Sequence, residues 1–415
     1  MAKHLVLIFA YHYPPENAIG SARPFRFSKY LSKLGYKCRV FTAADQTGID
    51  NPDVEHITDP FLERPKRGFN WQFERAIRKV LLPGEMGVQW SYRAYRSARK
   101  YIRAHPDSRA TIFSTFPPLG PHLAAWQLAR SEDLPWIADF RDPMRNERPA
   151  EPINRFQRKM DRWLEQVIIR RAEAVIANTS GASARWQEKY PSLKGKVHLI
   201  WNGFDPEDRV VPLPGSLGDC RVLSHTGELY AGRSATPILE SIARLIATKR
   251  LPARRVRVRL VGPVESGALP KQEFLDRARD DGWIELITEK ISKLEALQIA
   301  RSSDSLLLLQ PQSTTQVPGK LFEYLQIGRP ILAFVPPDSA SQRLLEQSGV
   351  PYRCVYPGSA PAAIDDALAE FFSLPPMAVA ANLWFEEQFN VEKQTRILDA
   401  IIRSLCGGQG RGTNP

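Results

Sequence analysis

Leu306-Leu-Leu-Leu-Gln-Pro-Gln-Ser-Thr-Thr-Gln-Val-Pro-Gly-Lys-Leu-Phe-Glu-Tyr-Leu-Gln-Ile-Gly-Arg-Pro-Ile-Leu-Ala-Phe-Val335 is the stretch that decides the fold. It reads as a buried strand, a polar loop, a short helix opening near Pro318, a turn at Gly328-Arg-Pro330 and a second buried strand. A βαβ unit of this kind aims free N–H groups at the start of its helix, here Gly319, Lys320 and Leu321, past the strand ends, which suits a phosphate. Lys320 and Glu323 are three positions apart and share one helix face. An ammonium there can meet a diphosphate. A carboxylate beside the same anion is useful only if it accepts hydrogen bonds from hydroxyls, such as those of a ribose or another sugar. The alternative is an ordinary core βαβ unit carrying an exposed Lys-Glu pair.

Strands and helices alternate outward from this segment in both directions. The N-terminal half offers strands at Leu5–Ala10, Lys37–Thr42, Thr111–Ser114, Trp136–Asp139, Ala174–Ala177 and Val197–Trp201, with helices around Ser21–Leu34, Leu119–Ala129 and Asn154–Arg171. The C-terminal half offers strands at Arg221–Thr226, Val256–Val261 and Ile284–Ile287, with helices over Pro237–Thr248, Phe274–Asp281, Leu294–Arg301 and Ala340–Gln347. Such alternation implies parallel sheets covered on both faces, an α/β fold. The chain of 415 residues exceeds one typical core. A Pro- and Gly-rich stretch without period begins near 206, so domains are expected over 1–205 and 206–385, followed by a helical segment over 386–406 and a tail over 407–415.

Composition excludes several classes. The four cysteines are far apart with no CxxC pair, and the seven histidines show no HExxH spacing, so neither a disulfide framework nor a metal site is expected. GxSxG and GxxxxGK[ST] are absent, which removes the usual esterase and P-loop readings. The apolar run Leu5–Ala10 is short for a signal peptide, and no run approaches a membrane span, so a cytoplasmic location is expected. Residues 1–205 hold 33 Lys and Arg against 21 Asp and Glu, which is the whole net charge of +12; the remainder balances. Within 64–103 there are 11 basic and 2 acidic residues interleaved with Phe69, Trp71, Phe73, Trp90, Tyr92, Tyr95 and Tyr101. That pattern suits peripheral docking on an anionic inner-membrane surface, or equally a solvated, partly packed helical pair. It matches no nucleic-acid module.

Three further segments sit at strand ends. His225-Thr-Gly-Glu-Leu-Tyr-Ala-Gly-Arg-Ser234 opens a loop whose glycines, Gly227 among them, permit close backbone approach, with Arg233 able to fork onto phosphate oxygens. Tyr13-Pro-Pro-Glu-Asn-Ala-Ile-Gly-Ser-Ala-Arg-Pro-Phe-Arg26 places Arg23 and Arg26 one helical turn apart. Ser114-Thr-Phe-Pro-Pro-Leu-Gly-Pro-His122 and Asp139-Phe-Arg-Asp-Pro143 end strands where open parallel sheets bind ligands. A buried Asp-Arg pair holding the loop is the plain reading of the last.

These motifs resemble those of the retaining glycosyltransferases of family 4, of the bacterial surface-polysaccharide type. The resemblance implies a GT-B fold, two Rossmann-like domains facing each other across a cleft. It implies no cofactor, a nucleotide-diphosphate sugar as donor substrate, and a glycan or polyprenyl-linked acceptor. Glu323 matches the second of two family glutamates eight positions apart, the one that binds ribose, and Thr315 stands at the first, which contacts the donor sugar. In the phosphate motif Arg233 replaces the lysine and Glu228 the arginine. Gly20 matches the glycine of the first loop, which lets acceptor and donor phosphate come close; Arg141 and Asp142 fall on the strand-end His-Asp. The resemblance therefore assigns Arg233, Lys320 and Asp142 as catalytic, and Gly20, Gly227, Arg233, Thr315, Gly319, Lys320, Leu321 and Glu323 to the donor. Arg23, Arg26 and Arg141 fall on the acceptor side, with no metal. The 386–406 segment resembles the helix that crosses back to the first domain. Two rival readings are a GT-B sugar-nucleotide epimerase or hydrolase, and a noncatalytic nucleotide-sugar or nucleic-acid binding protein.

Overall fold

The computed structural model describes residues 4–16, 20–45, 51–60, 87–142, 144, 155–207, 210–214, 220–252 and 255–407. The chain forms two compact units, Met1–Asn202 with Val391–Pro415, and Gly203–Asn390. In the first, β1 (Leu5–Phe9), α1 (Ala22–Lys33), β2 (Lys37–Thr42), β3 (Val54–His56), α2 (Val88–Arg103), β4 (Ala110–Phe116), α3 (Gly120–Glu132), β5 (Trp136–Phe140), α4 (Arg155–Arg171), β6 (Ala174–Ala177), α5 (Ser180–Lys189) and β7 (Val197–Leu199) follow in order. Its seven strands are all parallel and run β3-β2-β1-β4-β5-β6-β7. Side-chain alternation along β1 explains why every residue of this strand is buried. Leu5, Leu7 and Phe9 join a core with Trp90, Ala94 and Leu128 of α2 and α3. Val6 and Ile8 pack on the opposite face with Phe27 and Leu31 of α1.

The second unit contains β8 (Arg221–Thr226), α6 (Thr236–Ala247), β9 (Val256–Val261), α7 (Gln272–Asp280), β10 (Ile284–Ile287), α8 (Lys293–Ser302), β11 (Ser305–Leu309), α9 (Gly319–Ile327), β12 (Ile331–Phe334), α10 (Ala340–Ser348), β13 (Tyr352–Val355), α11 (Pro361–Ser373) and α12 (Leu383–Phe389). Six parallel strands run β10-β9-β8-β11-β12-β13. Leu306 to Leu309 are each at most 2% exposed, and burying each such side chain contributes about 2 kcal/mol. Strand order reverses between β8 and β11, so the loops after these two strands open at the switch point, where doubly wound sheets leave a crevice beyond their carboxyl ends.

The helical segment expected over 386–406 is broken. Asn390 is extended (φ −68°, ψ 117°), which stops α12; α13 (Val391–Gly407) then begins and belongs to the first unit. Leu398, Ile401 and Ile402 of α13 lie in the core that holds Val6, Ile8 and Leu31. The stretch after 206 is tied to the second unit by Leu213 N–H on Arg301 O (2.9 Å) and Arg329 on Leu213 O (2.8 Å).

Much of the basic, aromatic stretch expected over 64–103 lies outside the described residues; α2 is its visible part. There Trp90 is fully buried and Tyr95 and Tyr101 pack against the core, because they fall on the inward face with Ala94 and Ala98. Tyr92 is the aromatic of α2 that is largely exposed, and Arg93, Arg96 and Lys100 share its outward side. Arg99 and Arg103 turn instead to Glu132 (2.6 and 3.1 Å).

Candidate donor site

The loop after β8 begins at Gly227, whose φ of +137° is strained for any side chain. A Cβ at this position would also collide with Nζ of Lys320, so the glycine lets the lysine lie against the main chain. Lys320 enters from the first turn of α9 and donates to Thr226 O at 2.7 Å. Burial, then the nearby positive charge of Arg233, pushes its pKa down to about 7, with Glu323 acting weakly the other way. Arg233 stands at the end of the same loop, donates to Gln310 Oε1 (2.8 Å) and lies over the Tyr230 ring. Gln310 directly follows β11 and is 6% exposed, so both switch-point strands contribute to fixing the guanidinium.

His225 lies beneath this pair and is fully buried. Its Nδ1 is 2.9 Å from Leu307 O; a carbonyl only accepts, so Nδ1 carries the proton and Nε2 is a bare acceptor. Nε2 has no hydrogen-bond partner among the described residues. Burial and the adjoining Lys320 and Arg233 hold the imidazole pKa far below its ordinary value, so the ring adds no charge. Tyr324 completes the floor: it is buried, its hydroxyl pKa is pushed up to about 12 by burial, and its oxygen lies 3.5 Å from Thr226 N.

No side chain caps α9, which starts after Pro318, so the Gly319 and Lys320 N–H groups at its first turn face outward beside the two cations. Leu321 differs from expectation. Its N–H already donates to Pro318 O (3.0 Å) and its side chain is fully buried, so it packs the helix rather than binding a ligand. Thr315 is partly buried in the loop before α9, while Glu228 is exposed. Glu323 emerges one turn beyond Lys320 and meets Lys293 Nζ at 3.0 Å.

The first unit holds the other expected residues. Arg23 was expected on the acceptor side, but it is 7% exposed and turned into the fold. It forks onto Asp139 (2.7–3.1 Å) and donates to Ile200 O, Trp201 O and Asn202 Oδ1, which occupies its nitrogens. Thr115 gives Asp139 a further bond of 2.8 Å. Arg23 is thus a structural tie between α1, β5 and the end of the unit, and Arg26, partly buried, is the arginine of this helix nearer the surface. Gly20 packs directly on Arg141, whose guanidinium occupies the space a Cβ would take. Arg141 also donates to Phe116 O (3.3 Å) and to Pro117 O, and its own carbonyl accepts from Asn178. Burial lowers its pKa, opposed by the charges of the neighbouring Asp142 and Asp139. His122, at the other strand end, is core: it is buried among Phe116, Phe140 and Trp136 with Ser114 on Nδ1, and burial pushes its pKa down to about 3.

Gln310, Lys293 and His225 Nε2 were not anticipated as site groups. Gln310 had a signal, a polar residue ending a run of four leucines; Lys293 had none, because its partner is thirty positions away.

The comparisons with known proteins agree with this architecture. Residues 24–208 match the family model described as Glycosyltransferase Family 4. A glycosyltransferase from Rickettsia africae ESF-5 superposes with a TM-score of 0.63 at 10% identity, covering 98% of this chain and 100% of that one. Anabaena HepE in complex with UDP-glucose gives 0.60 at 14% identity, covering 96% and 99%. The UDP-GlcNAc 2-epimerase of Methanocaldococcus jannaschii gives 0.53 at 13% identity, covering 97% and 99%. No curated protein sequence is detectably similar to the chain. The match to the family model lies almost wholly in the first unit, and the structural likenesses give the whole chain a GT-B fold. Among the described residues no helix is long and apolar enough to cross a membrane.

Proposed function

We propose that the chain transfers a sugar from a nucleoside-diphosphate donor to a hydroxyl of a glycan or lipid-linked acceptor, with retention, in cell-surface polysaccharide biosynthesis. The observation that carries this reading is the pair Arg233 and Lys320 over the β8 and β11 tips, beside an uncapped helix start and above a neutral imidazole. Two cations and oriented N–H groups suit the two negative charges of a diphosphate. As the bond from the anomeric carbon to the diphosphate oxygen breaks, negative charge grows on the leaving group, and the same groups stabilise it without a divalent ion. The acceptor oxygen then bonds to that carbon on the face the diphosphate leaves, its proton passing to a diphosphate oxygen. Glu323 accepts from the ribose hydroxyls, and Thr315 lies on the side of the donor sugar. Arg26 and Arg141 of the first unit are assigned to the acceptor, Asp142 to catalysis, and the exposed Tyr92, Arg93, Arg96 and Lys100 of α2 to anionic lipid.

The likeness to an epimerase means that fold alone does not choose between transfer and rearrangement. Incubation with UDP-, GDP- and ADP-sugars, with and without polyprenyl-linked acceptors, separates them. Nucleotide release that requires acceptor supports transfer. Release without acceptor supports hydrolysis or epimerisation, and binding without turnover supports a noncatalytic role.

A further inference from the structure

The partner of Glu323 is a lysine placed where its own helix disfavours it. Lys293 is the first residue of α8, and a cation at that end opposes the helix dipole. The turn is already closed without it by Ser292 and Glu295, whose side chains bond each other's backbone N–H groups (3.2 and 2.8 Å). The ion pair itself is 48% exposed on the lysine side and 22% on the glutamate side, so it adds little to stability and opens readily. Neither helix stability nor packing accounts for Lys293.

Its position accounts for it better. α8 follows β10 and α9 follows β11 in one parallel sheet, so both helices start at the carboxyl edge, where Lys320 and Arg233 also stand. Oε1 of Glu323 holds the ammonium, which leaves Oε2 as an acceptor, and the ammonium keeps further N–H donors. A vicinal diol needs both kinds of partner, since each hydroxyl gives one hydrogen bond and can receive others. A lone carboxylate serves only the giving half.

We propose that Lys293 and Glu323 act together to read the 2′,3′-diol of the donor's ribose, with Lys293 as a specificity-determining residue; this rests on the donor reading given above. A 2′-deoxyribose leaves one of the two groups without its partner and binds less well.

The test is calorimetric binding of UDP, GDP and ADP, each against its 2′-deoxy form, to the full chain and to its Lys293→Met, Lys293→Arg and Lys320→Met variants. The native chain is expected to prefer the best ribonucleotide by about tenfold, as the loss of one hydrogen bond to a charged group implies. Lys293→Met should cut the preference to about twofold with an unchanged melting temperature, and Lys293→Arg should keep most of it. An unchanged preference in Lys293→Met, or an equal loss for both sugars, overturns the proposal while leaving the donor site standing, provided Lys320→Met still abolishes binding. Absence of nucleotide binding by the native chain overturns the donor site and the proposal together.

Discussion

On the proposed donor reading, affinity should fall as the pH rises through neutrality, because Lys320, the lysine assigned to the diphosphate, is only half charged there. Lys320 has a pKa of about 7 in the ligand-free fold, lowered first by burial and then by Arg233. Its neighbours complete the account: His225 is neutral, Tyr324 keeps its proton, and Glu323 is engaged by Lys293. A diphosphate needs the ammonium, so binding recharges it. With a pKa of about 7, roughly 90% of the lysine carries its proton at pH 6 and about 10% at pH 8, so affinity should drop about tenfold between them, with proton uptake rising from about 0.1 to about 0.9. The ligand-free fold changes in the opposite sense. Between pH 7 and the ordinary lysine range the unfolded chain holds the proton more tightly than the folded one, so stability rises with pH there. Calorimetry with UDP-glucose in buffers of differing ionisation enthalpy measures the uptake directly, since the diphosphate diester does not titrate in this range. Lys320→Arg keeps its charge at every pH and should bind with a flat profile. An affinity constant from pH 6 to 8 in the native chain, or the same slope in Lys320→Arg, refutes the reasoning.

Glu323→Ala should weaken UDP binding by about tenfold or more while leaving the melting temperature within a degree or two, since its ion pair is half exposed; unchanged affinity removes its assigned role. Gly227→Ala meets a φ of +137° and displaces Lys320, so we expect a loss of about 1–3 kcal/mol in urea denaturation together with loss of nucleotide binding. Asp139→Ala leaves Arg23 buried without its carboxylate and should cost about 3–5 kcal/mol of stability, whereas an acceptor contact would show as a raised acceptor KM in a fully stable protein.

Much of the architecture was legible because central parallel strands are apolar on both faces. Leu5–Phe9 and Leu306–Leu309 are continuous buried runs and could be read as such. The edges were not. β3 has three residues, none fully buried, and β13 carries the exposed Arg353, so neither leaves an apolar run. The break between α12 and α13 lies in the backbone of Asn390, within a stretch that otherwise reads as one helix. In the site, the sequence places Gly227, Arg233 and Lys320 near strand ends, because Gly227 directly follows β8, Arg233 lies in the loop after β8 and Lys320 opens the helix after β11. Arg23 departs from the acceptor-side expectation, because the carboxylate that captures it is 116 positions away and leaves no local mark. Lys293 escaped for the same reason.

A crystal structure of the full chain soaked with UDP tests the central claim most directly. The account expects the diphosphate within hydrogen-bond distance of Lys320 Nζ and the Arg233 guanidinium, with the ribose hydroxyls on Glu323. A nucleotide bound with its phosphates away from Lys320 and Arg233 would contradict it.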